Sequence, residues 1–290
     1  MSLFKGPMRQ HIPGHKELSD HVDIMEVKAG SKVFIPLICG PSVNLEILVK
    51  EGDHVSIGTK VAQCNERNVV PIFASVSGTV AGTQKLMHSS LKPVEHLVIE
   101  NDGLYERVRS FEPLDYKSAD RTALIDFMMN AGIIGLGGAG FPAYIKYKFA
   151  KDVKKLIINA VECEPFITAD YKMIQAHKEE FVTGVAAMKK MAMAPEAVIA
   201  IKKTHPDLIQ FVEEAIKGME GFSVVAVPDV YPMGWERVLV REIMHAEYEK
   251  LPGEVGAIVN NATTAIAFGE ALLTGTPIVS KTLTVSGNAV

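Results

Sequence analysis

The sequence predicts an α/β chain in which a mostly parallel sheet with covering helices follows a smaller all-β domain. Three observations predict it. Residues 30–100 break into short Val- and Ile-rich runs separated by turn residues. From about residue 122 the hydrophobic period lengthens, and apolar runs alternate with amphipathic stretches. Neither region contains an internal repeat or a low-complexity tract.

The β region is carried by "SKVFIPLI", "NLEILVKEGDHV", "TKVAQCN", "PIFASVSGTVAGT" and "EHLVIEND". Gly52-Asp53 and Ser77-Gly78 are hairpin-type turn signals. The spacing suggests a small barrel or sandwich. The phrases "VKEGDHVSIGTKVA" and "ASVSGTV" resemble the biotinyl/lipoyl-type barrel-sandwich fold, whose compact hairpins rely on glycines for positive φ. A carrier domain of that type needs a lysine at a hairpin tip. There is none between Cys64 and Gly78, so the barrel is expected to be structural.

Residues 104–121 are polar and irregular and read as a linker. Beyond them, "RTALIDFMMNAG" has helical spacing and "KKLIINAVE" suits a buried strand. "ADYKMIQAHKEEFVTGVAAMKKMA" reads as one long amphipathic helix, its Met-rich end as core and helix terminus. "EAVIAIKK", "FSVVAVP" and "GAIVNN" follow as strands. They alternate with helices "PDLIQFVEEAIKGM", "WERVLVREIMH" and "ATTAIAFGEALLTG", the first opened by Pro206.

The bulk properties narrow the function classes. At 290 residues the chain is long enough to bury roughly 70–75% of its unfolded surface. Hydrophobic residues make up 48% and charged residues 22%, an ordinary globular balance, and the net charge of −4 comes with no basic stripe for nucleic acid. Three dispersed cysteines, Cys39, Cys64 and Cys163, form no CxxC pair. A disulfide framework or a complete cysteine-built metal or iron–sulfur site is therefore not expected, and a reducing compartment is. The first residues lack an apolar signal core, and no run of about 18 apolar residues predicts a membrane span. His11 and His15 have no partner at ligand spacing, so no metal site is predicted.

The chemistry-bearing stretch is "GIIGLGGAGFPAYIKYKF", residues 132–149, in which Gly135, Gly137, Gly138 and Gly140 lie within six positions. A glycine-rich turn feeding a helix exposes backbone N–H groups next to the positive end of the helix dipole, which suits a phosphate. Lys146 in the following helix adds charge. The loop follows a helical stretch, unlike the usual dinucleotide fingerprint, and lacks the Gly-Lys-Ser/Thr of a Walker loop. A tight structural connection is the competing reading.

Three further stretches fall at expected strand C-terminal ends, where open α/β sheets place ligands. They are "INAVECEP" with Asn159, Glu162, Cys163 and Glu164, "DVYPMGWE" with Tyr231 and Trp235, and "IVNNATT" with Asn260 and Asn261. Amides, acids and aromatics after apolar strands suit a planar heterocycle and its polyol. The alternatives are an Asn-Asn turn or N-cap, solvated loop acids, and aromatics that only pack the loop. Cys163 between two acids is expected to keep its thiol protonated.

"GLGGAGFPAYIK", "LIINAVECEPFITADY", "YPMGWE" and "VNNATTA" together resemble the RnfC-type electron-transport subunits and the related PrdC-like proteins of amino-acid reductase systems. More distantly they are similar to the NADH-oxidising flavoprotein subunit of respiratory complex I. The resemblance spans residues 30–290 and implies this layout: an N-terminal extension over 1–29, a barrel-sandwich hybrid domain over 30–103, a linker over 104–121, a Rossmann-like FMN- and NADH-binding domain over 122–279, and the first strand of a truncated β-grasp domain over 280–290.

In that superfamily FMN is held noncovalently and NADH delivers hydride to it. By position, the resemblance puts Gly135, Gly137, Gly138 and Gly140 along the phosphate and ribityl region, with Lys146 on phosphate or ribityl oxygens. Asn159 and Glu162 would face the flavin. Tyr231, Gly234 and Glu236 would form a second wall, and Asn260, Asn261 and Thr264 would close the phosphate end. Two positions depart from the complex I pattern: Val161 replaces an acid, and Trp235 replaces the first acid of a Gly-Glu-Glu run, a residue the resemblance puts toward the nicotinamide or flavin cleft. Iron–sulfur clusters are expected only in a missing C-terminal region or on a partner of an Rnf-type or amino-acid reductase complex. The implied location is cytoplasmic, peripheral on the inner membrane face through partner subunits. A docking subunit with a degenerate nucleotide site is the alternative.

Overall fold

The computed structural model describes residues 12–39, 42–64 and 69–286. Outside them lie the first eleven residues of the N-terminal extension, His11 among them, part of the stretch between Cys64 and Gly78, and the last four residues of the expected β-grasp strand. The chain forms two compact units. One comprises Met25–Ile145 and Glu270–Lys281; the other comprises Lys146–Gly269 together with Met1–Ile24 and Thr282–Val290.

The first unit is β-rich. Strands β1 (Lys32–Pro36), β2 (Glu46–Ile47), β3 (His54–Val55), β4 (Lys60–Gln63), β5 (Ile72–Phe73), β6 (Gly78–Met87) and β7 (Pro93–Asn101) form two antiparallel sheets, ordered β1-β7-β6-β3 and β2-β4-β5. Val55, Val61, Val80, Leu97 and Ile99 point inward and build the barrel core. Both predicted hairpin turns are corrected. Gly52 does turn the chain with φ +87, but its flanking strands pair elsewhere, β2 with β4 and β3 with β6. Ser77-Gly78 is not a turn: Gly78 starts β6, and it is glycine because a Cβ there would lie 2.0 Å from the Glu100 carbonyl oxygen. The long hairpin is β6–β7, paired from Gly78–Asn101 to Met87–Pro93. This unit also holds α1 (Arg121–Asn130), capped by Asp120, whose carboxylate accepts from the Ala123 amide at 2.8 Å.

The helix α2 (Tyr144–Lys148) leads into the second unit. There β8 (Lys155–Ala160), β9 (Glu196–Lys202), β10 (Phe222–Val227) and β11 (Ala257–Asn261) form one parallel sheet ordered β10-β9-β8-β11. The helices are α3 (Ala169–Ala176), α4 (Lys178–Ala192), α5 (Pro206–Ala215), α6 (Glu236–Met244) and α7 (Ala262–Thr274). Leu156, Ile157 and Ile158 are fully buried, as expected of a strand covered on both faces. The strand order reverses direction between β8 and β11, so a switch point opens at their C-terminal ends.

The single helix expected over 169–192 is two helices. His177, at φ −125 and ψ 52, leaves helical geometry between α3 and α4. Its carbonyl then accepts from the Phe181 amide, and Glu179 and Glu180 supply the acids that favour a new first turn. Among the described residues, no helix is long and apolar enough to cross a membrane, and no cluster of His, Cys, Asp and Glu could hold a metal ion.

Candidate functional site

The glycine loop belongs to the β-rich unit and is closed at its base like a small hairpin. The Gly135 amide donates to the Phe141 carbonyl at 2.8 Å, and the Ala143 amide to the Ile133 carbonyl at 3.0 Å. Lys281 Nζ donates to the Leu136 carbonyl at 2.7 Å. Above this neck, Gly140 takes a left-handed φ of +68, which favours glycine. Around Gly138 a Cβ would meet nothing within 4 Å. Among the described residues, the Gly138 and Gly140 amides have no hydrogen-bond partner. The following helix is shorter than the phosphate-seat reading expected. At five residues, α2 carries little macrodipole, so any anion here would rest on the loop's own amides.

On the sheet unit, the strand-end residues lie next to one another at the switch point. Asn159 at the end of β8 is in register with Asn261 at the end of β11. The Asn159 amide group donates to the Gly234 carbonyl at 2.8 Å and accepts from the Val161 N–H at 3.1 Å. Asn261 donates to Asp170 Oδ2 at 2.5 Å and accepts from the Thr264 N–H at 3.2 Å, which makes it the cap of α7. Thr263 donates to the other Asp170 oxygen. Asn260 is buried and donates to the Tyr147 hydroxyl. Each asparagine has two N–H donors, so these bonds fix the amides without exhausting them.

Lys146 Nζ donates to the Val259 carbonyl at 2.6 Å and lies 3.8 Å from Glu236 Oε2. Burial lowers its pKa, and Glu236 partly restores it. Glu236 also accepts from the Tyr248 hydroxyl at 3.3 Å. Tyr231 packs edge-on against Trp235, their ring centroids 5.9 Å apart. A Cβ at Gly234 would lie 3.0 Å from Cys163 Sγ, so glycine admits the thiol there.

Glu162 bends the chain just past β8 at φ +37. Its carboxylate accepts from the Asp170 amide at 2.9 Å and the Tyr171 amide at 3.1 Å, and so caps the first turn of α3. Burial, then the nearby Asp170 carboxylate, pushes its pKa up to about 8 despite those two bonds. Cys163 likewise has its thiol pKa raised. Burial is the main cause, and the flanking acid Glu164 ranks below it.

Several functional groups had no sequence signal. Asp170 is the hub that holds Asn261 and Thr263. Lys202, 4% exposed at the end of β9, pairs with Asp229 beyond β10 at 2.5 Å. His205 next to them has its pKa lowered, by burial first and Lys202 second. Lys16 reaches into the loop after β8. Only the topology brings these together.

Known families match both parts of the chain. Residues 4–104 match the RnfC barrel sandwich hybrid domain, and residues 128–269 match the Nuo51 FMN-binding domain. The chain is 32% identical over 292 residues to the corresponding component of the Na(+)-translocating ferredoxin:NAD(+) oxidoreductase complex of Acetobacterium woodii, covering 99% of this chain and 66% of that protein. The chain belongs to the RnfC-type family. Its counterpart in the proton-translocating ferredoxin:NAD(+) oxidoreductase complex of Clostridium ljungdahlii is 32% identical, with 100% of this chain and 64% of that protein covered. The chain therefore spans about two thirds of the length of these curated relatives. A crystal structure of the NAD+-reducing NiFe-hydrogenase in the air-oxidized state aligns at TM-score 0.45 and 24% identity, over 53% of this chain and 30% of that one.

Set in this RnfC-type chain, the two departures from the complex I pattern take concrete form. Val161 is 1% exposed and packs into the apolar cluster with Ile157, Met233 and Leu239. An acid there would be buried among hydrocarbon, so valine suits the position. Trp235 is 52% exposed, as the residue before α6.

Proposed function

We propose that this RnfC-type chain is an FMN-binding electron-transfer subunit that accepts hydride from NADH and passes electrons to iron–sulfur or other redox centres on partner subunits of an Rnf-type complex. The reading includes a peripheral cytoplasmic location on the inner face of the membrane, held there by those partners. The observation that carries it is the glycine loop. There, among the described residues, the main-chain N–H groups at Gly138 and Gly140 are open, and a Cβ at Gly138 would occupy free space.

The residue types support the reading: unpaired loop amides and an ammonium suit an anion, and amides and acids suit a polar heterocycle. Gly135, Gly137, Gly138 and Gly140 are assigned to the phosphate and ribityl region, with Lys146 to oxygen atoms there. Asn159, Glu162, Tyr231, Gly234 and Glu236 are assigned to the flavin face, and Asn260, Asn261 and Thr264 to the phosphate end. When bound, FMN takes electrons in pairs from a nicotinamide and releases them singly. The protein's share is binding and orientation. Asp170 locks Asn261 and Thr263, and the Gly234 carbonyl locks Asn159. Burial raises the Glu162 pKa, so its carboxyl keeps its proton to higher pH than an exposed acid does. No side chain is needed as a nucleophile.

The test is anaerobic. Protein reconstituted with FMN should keep flavin absorbance through gel filtration and lose it on titration with NADH. Protein that emerges flavin-free, with no heat of binding by calorimetry, would overturn the assignment.

A further inference from the structure

The segment just before the barrel has no apolar reason to sit where it does. Lys16–Leu18 form a short 3-10 turn with no buried residue. This segment nevertheless belongs to the sheet unit and is bound there by polar contacts. Lys16 Nζ donates to the Glu162 carbonyl at 2.8 Å, the Glu164 carbonyl at 2.8 Å and the Ile167 carbonyl. An ammonium has three donors, and all three are spent on the main chain of one loop. The Phe166 amide donates to the Gly14 carbonyl at 2.7 Å. Ser19 Oγ donates to the Phe166 carbonyl at 3.1 Å and accepts from Thr168 Oγ1 at 2.9 Å. His15 stacks on Phe166 with ring centroids 5.1 Å apart.

The loop needs such restraint. Glu162 and Phe166 are both non-glycine residues at left-handed φ, +37 and +68. Such residues are strained and persist only where the surroundings hold them. The loop lacks regular secondary structure between β8 and α3. Lys16 gathers carbonyls from both its ends, as a bound cation would.

The geometry points to Lys16 as a positioning residue for the loop that follows β8: one ammonium on three carbonyls fixes the strand end carrying Asn159 and Glu162, and thereby sets flavin affinity. This rests on the flavin reading above. Lys16 itself is not placed on the ligand.

The experiment compares full-length wild type, Lys16→Met and Lys16→Arg by hydrogen–deuterium exchange and by FMN titration. In Lys16→Met, peptides covering 162–168 should exchange at least about tenfold faster while β9 and α4 peptides stay unchanged, since three charge-assisted bonds to that loop are lost together. The Kd for FMN should rise about tenfold on the same grounds, and Lys16→Arg should recover most of both effects. Unchanged exchange at 162–168, or a Kd within about twofold of wild type, overturns the proposal. Wild type that binds no FMN defeats the flavin assignment and the positioning role together, and the exchange data tell that result apart from failure of the staple.

Discussion

Glycines serve opposite purposes in two regions of this molecule. Where α4 crosses α7, a Cβ on Gly184 would lie 1.8 Å from the Ala265 carbonyl oxygen, and one on Gly269 would lie 1.8 Å from that of Glu180. The helices meet backbone to backbone, and the missing side chains are what let them. In the loop at 135–140, a Cβ on Gly138 would touch nothing. The first pair is glycine because the protein fills the space, whereas Gly138 is glycine although the protein leaves the space empty. Open space alone is common at exposed turns, as at Gly30 and Gly253, so what distinguishes Gly138 is that its amide and that of Gly140 are unpaired among the described residues.

The largest expected effect comes from the closed region. Gly184→Ala should cost about 3 kcal/mol or more, because two helices must separate. Scanning calorimetry should show Tm falling by roughly 5–10 °C. A Tm within about 1 °C of wild type would mean the crossing is looser than described. The loop should answer differently. Gly140→Ala, at φ +68, should lose about 1 kcal/mol. Gly138→Ala, at a φ any residue adopts, should leave stability within roughly 0.5 kcal/mol of wild type or slightly raise it. Yet its Kd for FMN should rise at least about tenfold, because the methyl group occupies the approach to the amides. Equal flavin affinity in Gly138→Ala and wild type would remove the loop from the site.

The smallest effect is in the side chains and is read through pH. The Glu162 pKa is raised from 4.5 to about 8 in the folded protein, so the fold binds an extra proton between those values. The stability that proton contributes is complete below about pH 4.5 and is lost as pH rises through about 8. Glu162→Gln, which cannot ionise, should therefore lose less Tm than wild type between pH 5 and about 8.5. Parallel declines in thermal scans would show that Glu162 is charged throughout.

Much of this was legible in the sequence because it depends on local patterning. The four parallel strands are apolar runs, and the helices between them carry their own period. Asp120 and Pro206 mark helix starts. The glycine loop could be picked out by its four closely spaced glycines, and the polar strand ends because open α/β sheets place ligands there. What escaped depends on distant pairings. Lys16 contacts main-chain carbonyls near residue 164, and a carbonyl has no residue type to read. Lys202 and Asp229 are partners only because β9 and β10 are neighbours. The helix break at His177 was hidden by apolar spacing that runs through it. Gly78 looked like a turn because the close approach of Glu100 that explains it comes from another strand.

The way the chain is shared between its two compact units has a practical consequence for dissecting it. It passes from one unit to the other after Ile24, Ile145, Gly269 and Lys281, so α7 begins in one unit and ends in the other. No single cut yields either half intact. A recombinant piece covering 146–269 would carry the parallel sheet but not Lys16. Anyone seeking a minimal version would have to splice the N-terminal segment back on, or permute the gene so that distant stretches become contiguous.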